Sequence, residues 1–178
     1  MNKDMNETKI KKKNIYIACI AIVSALYIVL VILIPVAWEI PQVRFADALF
    51  ATVFFFGYPG AIGLAVGCVF ANIIGGLGPI DIIFGSLANL LAGILGYYLF
   101  RKIKDIQGRR KQIYVQLILL LMNIINTAIV GTYLPYLLGM PYSITYLGIF
   151  LGSLISMNIC GYILYVSLDK LDIETMIQ

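Results

Sequence analysis

The 178-residue chain is 61% hydrophobic and only 12% charged, with a mean hydropathy of +0.95 and a net charge of +4. Soluble domains carry about 25% charged residues, so this composition excludes a water-soluble globular fold and specifies an integral membrane protein. Histidine is absent, which removes the usual acid–base group near neutral pH and the commonest metal ligand.

A spanning helix needs about 20 apolar residues, and Asn14–Pro35 supplies 22 without a charge, after a basic tail over residues 1–13. The segment is too long for a signal peptide and several like it follow. Within it Ala21 and Ala25, small residues four apart, share a face on which another helix can pack closely. Two prolines, Trp38, Glu39 and Arg44 predict an interfacial loop from Pro35 to Ala46. The next 33 residues, Ala48–Ile80, are uncharged, and as one helix of about 50 Å they would overrun the bilayer. Gly57-Tyr58-Pro59-Gly60 divides them into a short second helix, about Phe45–Phe56, and a third, about Pro59–Ile74. Gly75-Gly-Leu-Gly-Pro79 ends the third and places Asp81 as cap of a fourth, Ile82–Phe100. The basic run Arg101, Lys102, Lys104, Arg109, Arg110, Lys111 predicts a loop. The 57 uncharged residues Gln112–Leu168 then hold two spans joined over Pro135–Tyr142, before a short tail over 169–178.

An all-α bundle of six transmembrane helices results, and the charges support that number. Lys and Arg accumulate on the cytoplasmic side; with the N-terminus inside, 12 of the 13 basic residues fall there and only Arg44 lies outside. Both termini are therefore expected in the cytoplasm of a multi-pass plasma-membrane protein, which also leaves the Asn6-Glu7-Thr8 sequon unglycosylated. The net charge reflects topology, and no nucleic-acid partner is expected. Cys19, Cys68 and Cys160 stand alone in separate apolar segments and read as packing residues, so neither metal nor cofactor is expected.

Function is expected among the polar groups set in apolar surroundings: Gln42, Arg44, Asp47, Asn72, Asp81, Ser86, Asn89, Asn123 and Asn126. Asp47 lies three residues after Arg44 and can pair with it on a helix or bind a ligand. Asp81 can cap a helix or bind a ligand. The four asparagines suit interhelical bridges or a polar pocket towards the outer side, and Asn123 and Asn126 share a face of the fifth helix. Trp38, Tyr133, Tyr136 and Tyr142 are placed to cover a mouth. No Walker A sequence, H-E-x-x-H or nucleophile elbow occurs, and an intramembrane aspartyl protease is disfavoured because Pro79 and Ile80 separate Gly78 from Asp81. No enzymatic activity is expected.

Three blocks resemble the QueT family of energy-coupling factor S components: Gln42-Val-Arg44-Phe-Ala-Asp47-Ala-Leu49, Gly67-Cys-Val-Phe-Ala-Asn72-Ile-Ile-Gly-Gly76 and Gly78-Pro-Ile-Asp81-Ile-Ile-Phe-Gly85-Ser86. A weaker echo runs from Met122-Asn123 to Ile129-Val130-Gly131, and Asp47 stands where the family has Glu. The resemblance implies a six-helix subunit that captures a queuosine precursor, a deazaguanine base, from outside. It also implies docking, through Ala21 and Ala25, on a transmembrane coupling subunit carried by two ATPases. Asp47 would then accept the paired donors of a guanine-type edge, with amides for the remaining polar atoms, Trp38 stacked on the ring, and Asp81 or Glu39 for a cationic substituent. Another vitamin, such as thiamine, riboflavin or folate, is the alternative ligand.

Overall fold

The computed structural model describes residues 2–33 and 42–171. Its helices are α1 (Asn2–Leu33), α2 (Phe45–Phe56), α3 (Tyr58–Gly75), α4 (Pro79–Lys102), α5 (Gly108–Leu138) and α6 (Tyr142–Lys170). Five are long and apolar enough to cross a membrane, and α2 is the short one. The protein is an all-α, multi-pass membrane protein.

Helix contacts fix the direction of each pass. Gly63 of α3 lies against Val23 of α1, and Gly67 against Tyr27, so the two helices run parallel and the chain between them recrosses the bundle. The recrossing segment is α2. Gln42 meets Gly152, Ala48 meets Gly161 and Phe54 meets Tyr165, so α2 runs parallel to α6. Helices α4 and α5 are antiparallel, joined at Asp81 to Tyr133, Asn89 to Asn126 and Gly96 to Met122. The start of α1, the α4–α5 turn and the end of α6 consequently share one end of the bundle, where Lys111 and Asp169 approach to 3.9 Å.

The twelve residues of α2 make their pass by being overwound. Phe45–Thr52 is a 3-10 helix and Val53–Phe56 a single α turn. A 3-10 helix rises about 2.0 Å per residue against 1.5 Å, so α2 covers roughly 22 Å where an α-helix would cover about 18 Å. Its far end is anchored by aromatic packing, with Phe54 stacked on Phe100 at 4.7 Å and edge-on to Tyr165 at 5.7 Å. Opposite it, α6 is underwound into a π-helical stretch, Leu154–Cys160.

Several boundaries differ from the sequence expectation. Helix α1 starts at Asn2 rather than Asn14, because its Lys- and Glu-bearing segment favours helix and extends the span beyond its apolar part; its expected end at Pro35 lies outside the described residues. Helix α4 starts at Pro79, where a missing N–H costs nothing, so Gly78 is the cap and Asp81 falls inside the first turn. The basic run is mostly helical: Arg101 and Lys102 close α4, Arg109–Lys111 open α5, and only 103–107 lie between. Pro135 sits inside α5, near enough to its end to be tolerated, and Gly139, at φ 64°, stops the helix instead.

The direction of the passes generates a test. In a cysteine-free background, single cysteines at the exposed positions 107 and 139 should react with an impermeant maleimide from opposite sides of the membrane. Labelling of both from one side would contradict the six-pass order.

Candidate ligand-binding site

The polar residues fall mainly on the buried faces of their helices, because a bilayer offers them no hydrogen-bonding partner. Arg44, just before α2, and Asp47, in its first turn, are 5% and 2% exposed. Arg44 Nε lies 3.3 and 3.4 Å from the two carboxylate oxygens of Asp47. Both separations are long beside the 2.7–2.9 Å of a tight charge-assisted bond. Tyr27 of α1 donates its hydroxyl proton to Asp47 Oδ1 at 3.0 Å and accepts from Asn89 Nδ2 of α4 at 3.1 Å. Asn126 of α5 completes the chain by donating to Asn89 Oδ1 at 2.8 Å. One continuous hydrogen-bonded path thus crosses α2, α1, α4 and α5.

A second cluster lies towards the other end of the α4–α5 seam. Tyr133 donates to Asp81 Oδ1 at 2.8 Å, and Asn72 of α3 donates to the backbone carbonyl of Asp81 at 2.8 Å. Gly85 makes this approach possible, since a Cβ there would fall 2.5 Å from Asn72 Nδ2.

Seven of the expected residues, Arg44, Asp47, Asn72, Asp81, Asn89, Asn123 and Asn126, are buried, and so, barely, is Gln42, beside Gly152 of α6. The expected pairing of Arg44 with Asp47 is formed, whereas Asp81 is not a helix cap. Asn123 and Asn126 diverge despite their shared face: Asn123 accepts from Thr127 at 3.0 Å and donates to the Phe150 carbonyl of α6 at 3.4 Å. The paths also run deeper than an outer mouth, since Asn89 lies ten residues, about 15 Å, into α4. Ser86 points elsewhere, bonded to its own helix and lining an apolar groove of about 340 Å³ between α3 and α4. Tyr136 and Tyr142 are exposed, and Trp38 and Glu39 lie outside the described residues. Ala21 and Ala25 face outward, while Val23, Ser24 and Tyr27 form the packed face of α1. Sequence reasoning missed Tyr27, Thr127 and the reciprocal Gln116–Asn158 bridge between α5 and α6. For Tyr27 a signal existed: Val23, Tyr27 and Val31 recur every four residues, marking the buried stripe.

A multi-pass helical membrane protein with carboxylates, a guanidinium and amides gathered inside its bundle has the features of a solute-handling membrane protein. The model of the QueT transporter family matches residues 17–170, and the chain belongs to that family. The resemblance carried by the three sequence blocks is thereby confirmed. No curated protein and no solved structure matches the chain significantly.

Tyr27→Phe should leave Asp47 and Asn89 each one partner short and cost about 1–3 kcal/mol. Its melting temperature in detergent should fall clearly below wild type, while Ser86→Ala, outside the network, should melt within error of wild type.

Proposed function

We propose that the protein is the substrate-binding S component of an energy-coupling factor importer and that it captures a queuosine precursor, a deazaguanine base, from outside. The observation that carries this reading is the buried Arg44–Asp47 pair on a network of amides, in a chain of the QueT transporter family. The basic end of the bundle faces the cytoplasm, in keeping with the distribution of Lys and Arg across membranes. The chain binds and releases its ligand without chemical change; ATP hydrolysis belongs to the two partner ATPases.

A guanine-type edge presents a ring N–H and an exocyclic amine side by side, and one carboxylate accepts both. Asp47 is that acceptor. Its contacts to Arg44 are long, so the ligand's donors replace Arg44 Nε and free the guanidinium to donate to the ring carbonyl. Tyr27 keeps Oδ1 oriented, and Asn89, Asn126 and Gln42 supply donors and acceptors for the rest of the base. Asn72, Asn123 and Trp38 are the remaining candidates for ligand contact.

Docking on the transmembrane coupling subunit uses the outward stripe of Ala21 and Ala25, whose exposure favours a partner helix over packing within the bundle. Ala21→Trp or Ala25→Trp should leave ligand binding unchanged in the isolated protein but abolish uptake in cells. Equal loss of binding would assign the stripe to internal packing.

Calorimetry on the purified chain tests the ligand. Wild type should bind deazaguanine bases and reject thiamine, and Asp47→Asn should weaken binding by roughly a hundredfold or worse, since it removes a charge-assisted acceptor and adds an opposing donor. Asp47→Glu should be tolerated better. Unchanged affinity in Asp47→Asn would reduce Asp47 to the ion-pair partner of Arg44.

A further inference from the structure

The end of the bundle where α4 turns into α5 carries more positive charge than its own acids neutralise. Arg101 and Lys102 close α4, Arg109 and Arg110 open α5, and all four are exposed. Lys111 Nζ lies 5.7 Å from the centre of the Phe100 ring, which sets the first turn of α5 beside the last turn of α4. Among the described residues no carboxylate forms an ion pair with any of the four: Asp169 approaches Lys111 instead, and Asp105, in the turn itself, pairs with none of them. A surplus of cations at one end is what the topology requires. Their placement is more specific than that.

Two of the cations are laid on aromatic rings. Lys102 Nζ is 4.6 Å from the centre of the Tyr98 ring, and Arg101 Cζ is 5.9 Å from that of Tyr97. Tyr97 is itself held, edge-on to Tyr58 at 5.1 Å and over Gly57, where a Cβ would fall 2.9 Å from its ring. Tyrosines at the end of a spanning helix sit at the level of the lipid headgroups. The rings therefore keep both charges at that level rather than extended into water. Below Lys102 the same face of α4 continues through Tyr98, Ile94 and Leu91, all exposed and spaced by three or four residues. From Lys102 to Leu91 the helix rises roughly 16 Å, the depth of one leaflet of a hydrocarbon core about 30 Å thick.

From this we infer that the edge of α4 seats an anionic phospholipid of the leaflet on the basic side, its phosphate between Arg101 and Lys102 and an acyl chain along Tyr98, Ile94 and Leu91. The seat goes beyond the binding and docking roles proposed above and uses none of their residues. A guanidinium offers parallel N–H donors that match two phosphate oxygens, and the ammonium adds a point charge beside it. A zwitterionic headgroup carries its own cation next to the phosphate and gains little from further ones. A headgroup of net negative charge gains from both, and from Arg109 and Arg110 through the field of the turn.

Native mass spectrometry of the delipidated full chain, titrated with phosphatidylglycerol and with phosphatidylcholine of the same acyl chains, tests the inference. Wild type should bind phosphatidylglycerol tighter by about tenfold or more. Arg101→Gln combined with Lys102→Gln should remove that preference by weakening phosphatidylglycerol alone, whereas Arg109→Gln combined with Arg110→Gln should reduce it by less. Equal affinity of wild type for the two lipids would overturn the inference, as would a preference that survives the change at Arg101 and Lys102. If that double variant keeps its lipid preference but no longer assembles with the coupling subunit in phosphatidylcholine nanodiscs, the cations serve a protein and the lipid seat is wrong. Should the double variant fail to fold, Lys102→Gln alone decides: it should lose part of the preference, and an unchanged preference would overturn the inference.

Discussion

The Arg44–Asp47 pair is the interaction on which the arrangement of the bundle depends. Two charges are held in an environment that cannot solvate them, so every additional partner must come from another helix. Tyr27, Asn89 and Asn126 supply those partners from α1, α4 and α5. Each helix is thereby fixed in rotation and in depth, because sliding by one turn, about 5.4 Å, would break its link. The same groups that hold the helices in register carry the bundle's buried polar atoms.

Close approach of the helices makes such short polar links possible. Gly63 and Gly67 bring α3 against α1, Gly93 brings α4 against Ala61 of α3, and Gly96 accepts the Met122 side chain of α5. Lipid tails are as apolar as these helix faces, so tight packing and hydrogen bonds, rather than expulsion of water, hold the bundle together. Gly152 serves a different purpose, since the backbone at Gln42 lies directly on it and any side chain there would displace the segment leading to Arg44.

Most of this was legible in the sequence because a bilayer enforces simple rules. Length, charge and the Gly- and Pro-rich breaks predicted the six helices, and the isolation of Asp47, Asn72 and Asn89 in apolar runs marked them as candidates, whereas Arg44, expected in an interfacial loop, is buried. Where reading failed, local cues conflicted. Pro79 outcompeted Asp81 for control of the start of α4, and Gly139 rather than Pro135 ended α5. Asn123 and Asn126 are neighbours on one face, yet a small angular difference sends one to α6 and the other to α4. Tyr27 was hidden by its chemistry: a tyrosine in an apolar helix reads as bulk until its hydroxyl is seen to bridge two helices. Ser86 shows the converse, a polar residue that satisfies itself on its own turn and needs no neighbour.

The overwinding of α2 couples its two ends. Asp47 lies in the 3-10 stretch, and Phe54 stands just beyond it among Phe100 and Tyr165. Eight residues at 3-10 pitch are roughly 4 Å longer than the same residues at α pitch. A change of winding anywhere between them therefore becomes an axial displacement, felt as a pull on the carboxylate at one end or on the aromatic cluster at the other. In mechanical terms α2 is a strut whose length is set by its pitch, clamped at both ends, with Asp47 on one clamp.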